Sequence, residues 1–420
     1  MGNKTFKVIT LGCRVNQYEA QAYRDQLLSI GCIPADNDQE ADICIVNTCT
    51  VTSSAASKSR YQIRHIIRQN PNAEVYITGC LSDDDPEGIR SIEGVTGVIS
   101  NSEKEHLLST VFPDDIKLPE FAIKNFAGRT RAFIKIQDGC NSFCSYCIIP
   151  YVRGRSRSRK VKDILHEIKN LIEKGYREIV LTGINVGDFE DDEYRLADLV
   201  GMIDDLSGIE RLRISSLDPN DIDDELIKVI CNGKHTCHSL HLVLQSGSNN
   251  VLKRMNRKYN RHNFLEVVNK FRSIDPDFGF STDIIVGFPG ETEQDFEDSL
   301  AVVREVLFSK VHMFPFSPRE GTVAYKFENA ISFDVIKDRK QYLSEVSNKC
   351  EHEWRERFVG RVVSVLTENR DMEDEKLIWG HTDQFVSVVL KDPSIDANVI
   401  LEVKVLENNS SCLVGVRDEN

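Results

Sequence analysis

No apolar run in the 420-residue chain approaches the roughly eighteen residues of a membrane span. Met1 to Thr10 also lacks the apolar core of a secretion signal, so a cytoplasmic protein with no membrane partner is expected. Positive charge is in short supply: 52 Lys and Arg stand against 66 Asp and Glu, a net charge of −14. That balance excludes a surface coated for nucleic acid and leaves room only for a local basic track. A further absence concerns cysteine. After Cys140, Cys144 and Cys147, no fourth cysteine follows until Cys231. Structural zinc takes four ligands, normally in two pairs, and full iron–sulfur ligation also takes four cysteines. Three thiolates therefore leave one metal position open.

Twelve cysteines in a chain without a secretory context point to metal, not disulfides. Six fall into two triplets, while Cys32, Cys44, Cys231, Cys237, Cys350 and Cys412 are scattered where a small buried thiol is the default. The order Cys231, His235, Cys237, His238, His241 is reminiscent of a zinc site, but it places the side chains on opposite faces of an incoming strand, so no metal is assigned there. Five positive charges, Arg153, Arg155, Arg157, Arg159 and Lys160, directly follow the second triplet.

The length predicts two or three domains. Residues 6 to 100 alternate strands and helices, the pattern of a doubly wound parallel sheet. Three strands end alike, as Leu11-Gly12-Cys13, Asn47-Thr48-Cys49 and Thr78-Gly79-Cys80. Parallel strands share one carboxyl edge, so Cys13, Cys49 and Cys80 should converge there. Residues 113 to 130, with Pro113, Pro119 and Gly128, read as a linker after a first domain of residues 1 to 112. From 131 to 356 six strands, at 132 to 136, 178 to 182, 210 to 215, 238 to 244, 279 to 286 and 310 to 316, alternate with helical stretches. This predicts an incomplete (β/α)6 barrel with its site at the strands' carboxyl ends. Residues 357 to 420 predict a small antiparallel barrel. Its stretch from 361 carries six Lys and Arg against twelve Asp and Glu, a poor composition for phosphate.

Cys140-Asn-Ser-Phe-Cys144-Ser-Tyr-Cys147, with Tyr146 before the last cysteine, resembles the radical S-adenosylmethionine enzymes. With Ile148-Ile149-Pro150 and the Arg153 to Arg159 tail it is similar to the methylthiotransferases within that superfamily. The resemblance extends to Gly12-Cys13-Arg14-Val15-Asn16-Gln17-Tyr18-Glu19 and to the position and size of the last barrel, which matches the TRAM-like RNA-binding barrel of tRNA-modifying enzymes. It implies two [4Fe-4S] clusters, one on each cysteine triplet, and S-adenosylmethionine in a pocket lined by Thr182, Gly183, Ser215, Ser216 and Gln245. It also implies an electron donor and a sulfur source as partners, and no side-chain nucleophile. Together with Lys253-Arg254-Met255-Asn256-Arg257-Lys258-Tyr259, these motifs look most like the branch that methylthiolates C2 of N6-threonylcarbamoyladenosine beside the tRNA anticodon. Arg14, Asn16, Arg153, Arg155, Arg157 and Arg159 are then the candidates to contact the substrate. Alternatives are N6-isopentenyladenosine in tRNA, an aspartate of a ribosomal protein, or a non-catalytic iron–sulfur protein that binds RNA.

Overall fold

The computed structural model describes residues 4–36, 39–112, 118–126 and 130–419. The amino-terminal domain is a five-stranded parallel sheet of β1 (Thr5–Thr10), β2 (Ile33–Pro34), β3 (Ile43–Thr48), β4 (Glu74–Gly79) and β5 (Gly97–Val98). Its spatial order, β2-β1-β3-β4-β5, makes it doubly wound. β3 is buried on both faces along its whole length, which is why it reads as an apolar run and not an alternation. Helix α1 (Arg14–Ser29) leaves β1 directly, and α2 (Ser53–Gln69) follows β3, capped by Thr52, whose side chain accepts a hydrogen bond from the Ala55 amide.

The central domain carries six parallel strands in sequence order: Arg131–Lys135, Glu178–Thr182, Arg211–Ile214 continuing as Ser216–Leu217, Ser239–Leu242, Gly279–Val286 and Lys310–Pro315. The break at Ser215 divides them into a three-stranded and a four-stranded sheet. Among the described residues the first and last strands do not pair, so the barrel is open on one side.

Helix α1 serves both domains. Tyr18 and Ala22 are buried with the barrel strands, whereas Ala20, Tyr23 and Leu27 are buried with the amino-terminal sheet. The region read as a linker is likewise no tether. Residues 113–117 and 127–129 lie outside the described residues, but 118–126 are fixed between the domains. The Ile123 amide donates to Glu167 Oε1 (2.7 Å), the Lys124 amide donates to Asp25 Oδ2, and Phe126 is buried in the barrel core. Proline content misled here, because the segment's donors are satisfied by carboxylates distant in sequence.

Helix Phe333–Glu356 leads to a closed five-stranded barrel of Val362–Arg370, Leu377–Thr382, Ser387–Lys391, Leu413–Arg417 and Ile400–Asn408. Its pairings are antiparallel except Ser387–Lys391 with Leu413–Arg417, which is parallel. This barrel sits under the amino-terminal ends of the central strands. Arg211 donates to the carbonyls of His381 and Ser364, Arg213 to those of Asp383 and Thr382, and Ser239 Oγ to that of Asp383. Phe385 reaches the floor of the central barrel, with the guanidinium of Arg213 4.7 Å and that of Arg131 5.1 Å from its ring centre.

Candidate active site

At the carboxyl edge of the amino-terminal sheet, Cys13 caps the start of α1, Cys49 follows β3, and Cys80 opens the short helix Cys80–Asp84. The glycine before Cys80 has a structural reason. Gly79 has φ +91°, and a Cβ there would lie 2.4 Å from Asn47 Oδ1 and 2.5 Å from the Thr48 carbonyl oxygen. Burial pushes the Cys80 thiol up to about 12, and neighbouring Cys13 and Cys49 act in the same direction.

The second triplet sits on a loop between the strands Gln137–Asp138 and Arg157–Ser158. The segment 254–257 stitches it in place. The Ser145 amide donates to the Met255 carbonyl (2.9 Å), Ser145 Oγ to the Arg254 carbonyl (2.8 Å), and Asn256 Nδ2 to the Phe143 carbonyl (2.9 Å). Arg257 Nη1 lies 3.0 Å from Cys144 Sγ, and its other nitrogens pair with Asp218 and the Tyr259 hydroxyl. Apolar surroundings and the adjoining Cys144 push the Cys147 thiol up to about 12.

The two triplets meet. Cys80 is buried in one apolar cluster with Ile148, Ile149 and Val152, and the half-buried Cys140 and Cys147 pack against the same cluster. Arg153, next in the chain, donates from Nε to Cys80 Sγ at 3.2 Å. Its side chain is fully buried among Glu19, Asp138 and Asn16. Lys104 closes this network, 2.6 Å from Glu19 and 2.5 Å from Asp138. Burial alone would raise the Glu19 carboxyl, but Lys104 and Arg153 draw it down to about 2.

Several expected roles change with this geometry. Arg153 cannot reach a substrate, because an internal ion network encloses it. Arg159 is likewise turned inward, to Glu167 (2.6 Å) and the Tyr18 hydroxyl (2.9 Å). Asn16 is 1% exposed and ties the sheet edge, donating from Nδ2 to the carbonyls of Leu11 (2.7 Å) and Thr48 (2.9 Å). Arg157 reaches Asp138, and Arg155 lies over the Phe143 ring at 4.3 Å. Arg14, Thr182, Gly183, Ser215 and Ser216 line a cavity of about 600 Å³ inside the central barrel, together with Cys13; Gln245 is not in its wall. Gln245 instead holds a left-handed turn, φ +64°, and its amide donates to the Asp283 carbonyl. The wall also holds Ser281, Asp283, Lys310 and His312, which the sequence pattern did not single out, and His241, which it weighed only as a metal ligand. His241 lies 3.1 Å from Ser281 Oγ and 3.4 Å from Asp283, and burial lowers the pKa of His312. Period-two spacing along the strands Ser239–Leu242, Gly279–Val286 and Lys310–Pro315 aims these side chains at the lumen.

Among the described residues no group of three or more His, Cys, Asp or Glu side chains is arranged to hold a single metal ion. Single-ion coordination draws every ligand to about 2.0–2.3 Å of one centre. A cluster distributes its thiolates over separate irons, and three-thiol sets are the donors that iron–sulfur chemistry requires. Each triplet also has one buried guanidinium at hydrogen-bond distance from a sulfur. A guanidinium so placed favours the thiolate over the thiol, and thiolates are the form that binds iron, so the residues fit such a group.

The model of the Radical SAM superfamily matches residues 134–303, and that of Uncharacterized protein family UPF0004 matches residues 5–100. The threonylcarbamoyladenosine tRNA methylthiotransferase MtaB of Chlamydia pneumoniae is 52% identical over 91% of each chain. MtaB of Bacillus subtilis (strain 168) is 36% identical over 95% of this chain and 93% of its own. A tRNA-2-methylthio-N(6)-dimethylallyladenosine synthase of Clostridium novyi (strain NT) is 35% identical over 98% and 96%. Among solved structures, the radical S-adenosylmethionine methyltransferase TsrM of Kitasatospora setae matches with a TM-score of 0.56 at 14% identity over 75% of each chain, a likeness of fold. Both matched regions carry a cysteine triplet, Cys80 of the first shares a buried cluster with Cys140 and Cys147 of the second, and the relatives align over nearly the whole chain. The chain therefore belongs to the radical S-adenosylmethionine methylthiotransferases, transferases whose cofactors are S-adenosylmethionine and [4Fe-4S] clusters.

Proposed function

We propose that this enzyme methylthiolates C2 of N6-threonylcarbamoyladenosine in tRNA, at the nucleotide 3′ of the anticodon. The observation that carries the reading is the 52% identity, over nine-tenths of both chains, to a threonylcarbamoyladenosine tRNA methylthiotransferase. The cavity supports it. A threonylcarbamoyl group brings a carboxylate and several polar atoms, which the imidazoles of His241 and His312, the hydroxyl of Ser281 and the ammonium of Lys310, whose other partner is Glu351 at 3.0 Å, are chemically suited to meet. An apolar dimethylallyl group would offer this polar wall no hydrogen-bonding partner.

In this reading Cys140, Cys144 and Cys147 hold one cluster and Cys13, Cys49 and Cys80 the other, with Thr182, Gly183, Ser215 and Ser216 beside S-adenosylmethionine. When bound, these groups supply radical hydrogen abstraction and sulfur and methyl transfer. The chain's part is placement. Segment 254–257 fixes the second cysteine loop, Arg153 joins the first triplet to the barrel, and Phe385 forms part of the cavity wall. An anticodon loop is single-stranded, so its purine can be splayed into the cavity at modest unstacking cost.

The test incubates reconstituted enzyme, reductant, sulfide and S-adenosylmethionine with tRNAs bearing either modification, followed by nucleoside mass spectrometry. Only the threonylcarbamoyl form should gain the methylthio group. Gain by the isopentenyl form alone would overturn the substrate assignment while leaving the family intact.

A further inference from the structure

We infer that the exposed face of α2 is the surface on which the tRNA backbone is held while its modified base is in the cavity; this rests on the tRNA reading above. In a chain of net charge −14, the seventeen residues Ser53–Gln69 contain Lys58, Arg60, Arg64 and Arg68 and no acidic residue. Arg60 faces inward and pairs with Asp85 at 2.6 Å. Lys58, Arg64 and Arg68 are exposed, and among the described residues none of them has an ion-pair or hydrogen-bond partner. Positions 58, 61, 65 and 68 follow the 3–4–3 spacing of one helix face, with 64 alongside. Lys58 and Arg64 are separated by about 9 Å of axial rise, and Arg64 and Arg68 by about 6 Å, so the cations form a row.

Between them lies an aromatic platform. Tyr61 is 57% exposed, and its ring stacks on His65 with centroids 5.8 Å apart and planes 8° from parallel. Cations interleaved with an exposed flat ring are the combination that grips a sugar-phosphate strand and stacks an unpaired base. The helix also has the right origin. It starts four residues after Cys49 and is tied to the far side of the barrel rim by the Ser53 amide, which donates to Ser317 Oγ at 3.1 Å. Lys58 lies less than two turns into the helix, so the row of cations begins close to the cysteine edge. Arg153 and Arg159, nearer the second cysteine triplet, are turned into internal ion pairs.

The experiment measures binding of tRNA bearing threonylcarbamoyladenosine to the holoenzyme at several salt concentrations, comparing wild type with the triple variant Lys58→Gln, Arg64→Gln, Arg68→Gln. Three lost phosphate contacts should flatten the slope of log affinity against log salt by about 2 to 3 and weaken binding at least about tenfold. Cleavage of S-adenosylmethionine without tRNA and the circular dichroism spectrum should be unchanged. The charge-keeping variant Lys58→Arg, Arg64→Lys, Arg68→Lys should bind like wild type. Unchanged affinity and slope in the triple variant, or weaker binding with an unchanged slope, overturns the inference. If the triple variant fails to fold, the three single variants carry the test, each flattening the slope by about 0.7 to 0.9 or overturning the assignment. Failure of the wild-type enzyme to bind this tRNA would overturn the substrate reading itself.

Discussion

Single residues divide into those that hold chemistry and those that hold its holders. Arg153 belongs to the second kind, and the arginine run from 153 to 159 shows why composition alone misplaces such residues. A run of arginines reads as a solvated track, yet Glu19, Asp138 and Glu167, each on a different element, draw two of its four arginines inside. Asn16 was legible as important but not as buried, since its partners are backbone carbonyls of two different strands. Glu19 gives the clearest test of this network. Its carboxyl is held at about 2, against about 4.5 ordinarily, so its stabilisation is fully present above about pH 4.5 and is lost as pH falls toward 2. That difference corresponds to roughly 3 kcal/mol. Urea midpoints measured at pH 7, 4 and 3 should therefore fall more steeply for wild type than for Glu19→Gln. Parallel declines would remove Glu19 from the account of acid lability.

Among the elements, most parallel strands of both domains were readable as short apolar or alternating runs, several of them closed by Gly, Ser or Cys. The two-residue strands Ile33–Pro34 and Gly97–Val98 carry too little pattern to bound, and the first was missed. The stretch Lys253 to Tyr259 was recognised as a motif with no role. Its role is to seat the second cysteine loop through carbonyls and one amide, contacts that side-chain patterning does not reveal. That loop is sensitive to its entry point. Gly139 has φ +73°, and a Cβ there would lie 2.1 Å from the Arg155 carbonyl oxygen. Gly139→Ala should cost at least about 1–3 kcal/mol from the backbone conformation alone. It should also lower the iron retained after anaerobic reconstitution. Gly201 lies in the helix Leu196–Asp204 with open space where a Cβ would be, so Gly201→Ala should raise stability by roughly 0.5–1 kcal/mol in the same denaturation assay.

At the scale of the whole molecule, the carboxyl-terminal barrel is a floor for the central one. Arg213 fastens it, pairing with buried Glu178 at 2.8 Å and donating to the carbonyls of Thr382 and Asp383. Arg213→Met would strand Glu178, and breaking such a buried pair costs about 3–5 kcal/mol. Faster hydrogen exchange at residues 382–386 is the expected signature, and unchanged exchange would show that other contacts suffice. The sequence predicted the barrel but not its seat, because docking depends on carbonyl groups that every sequence possesses. Helix α1 has a consequence for the order of synthesis. Tyr18 emerges from the ribosome over a hundred residues before Phe133 and the strand it packs beside. At about 5–20 residues per second, the barrel-facing side of α1 stays uncovered for roughly 5–20 seconds on every nascent chain, an interval in which a chaperone or a neighbouring polysome product competes for it.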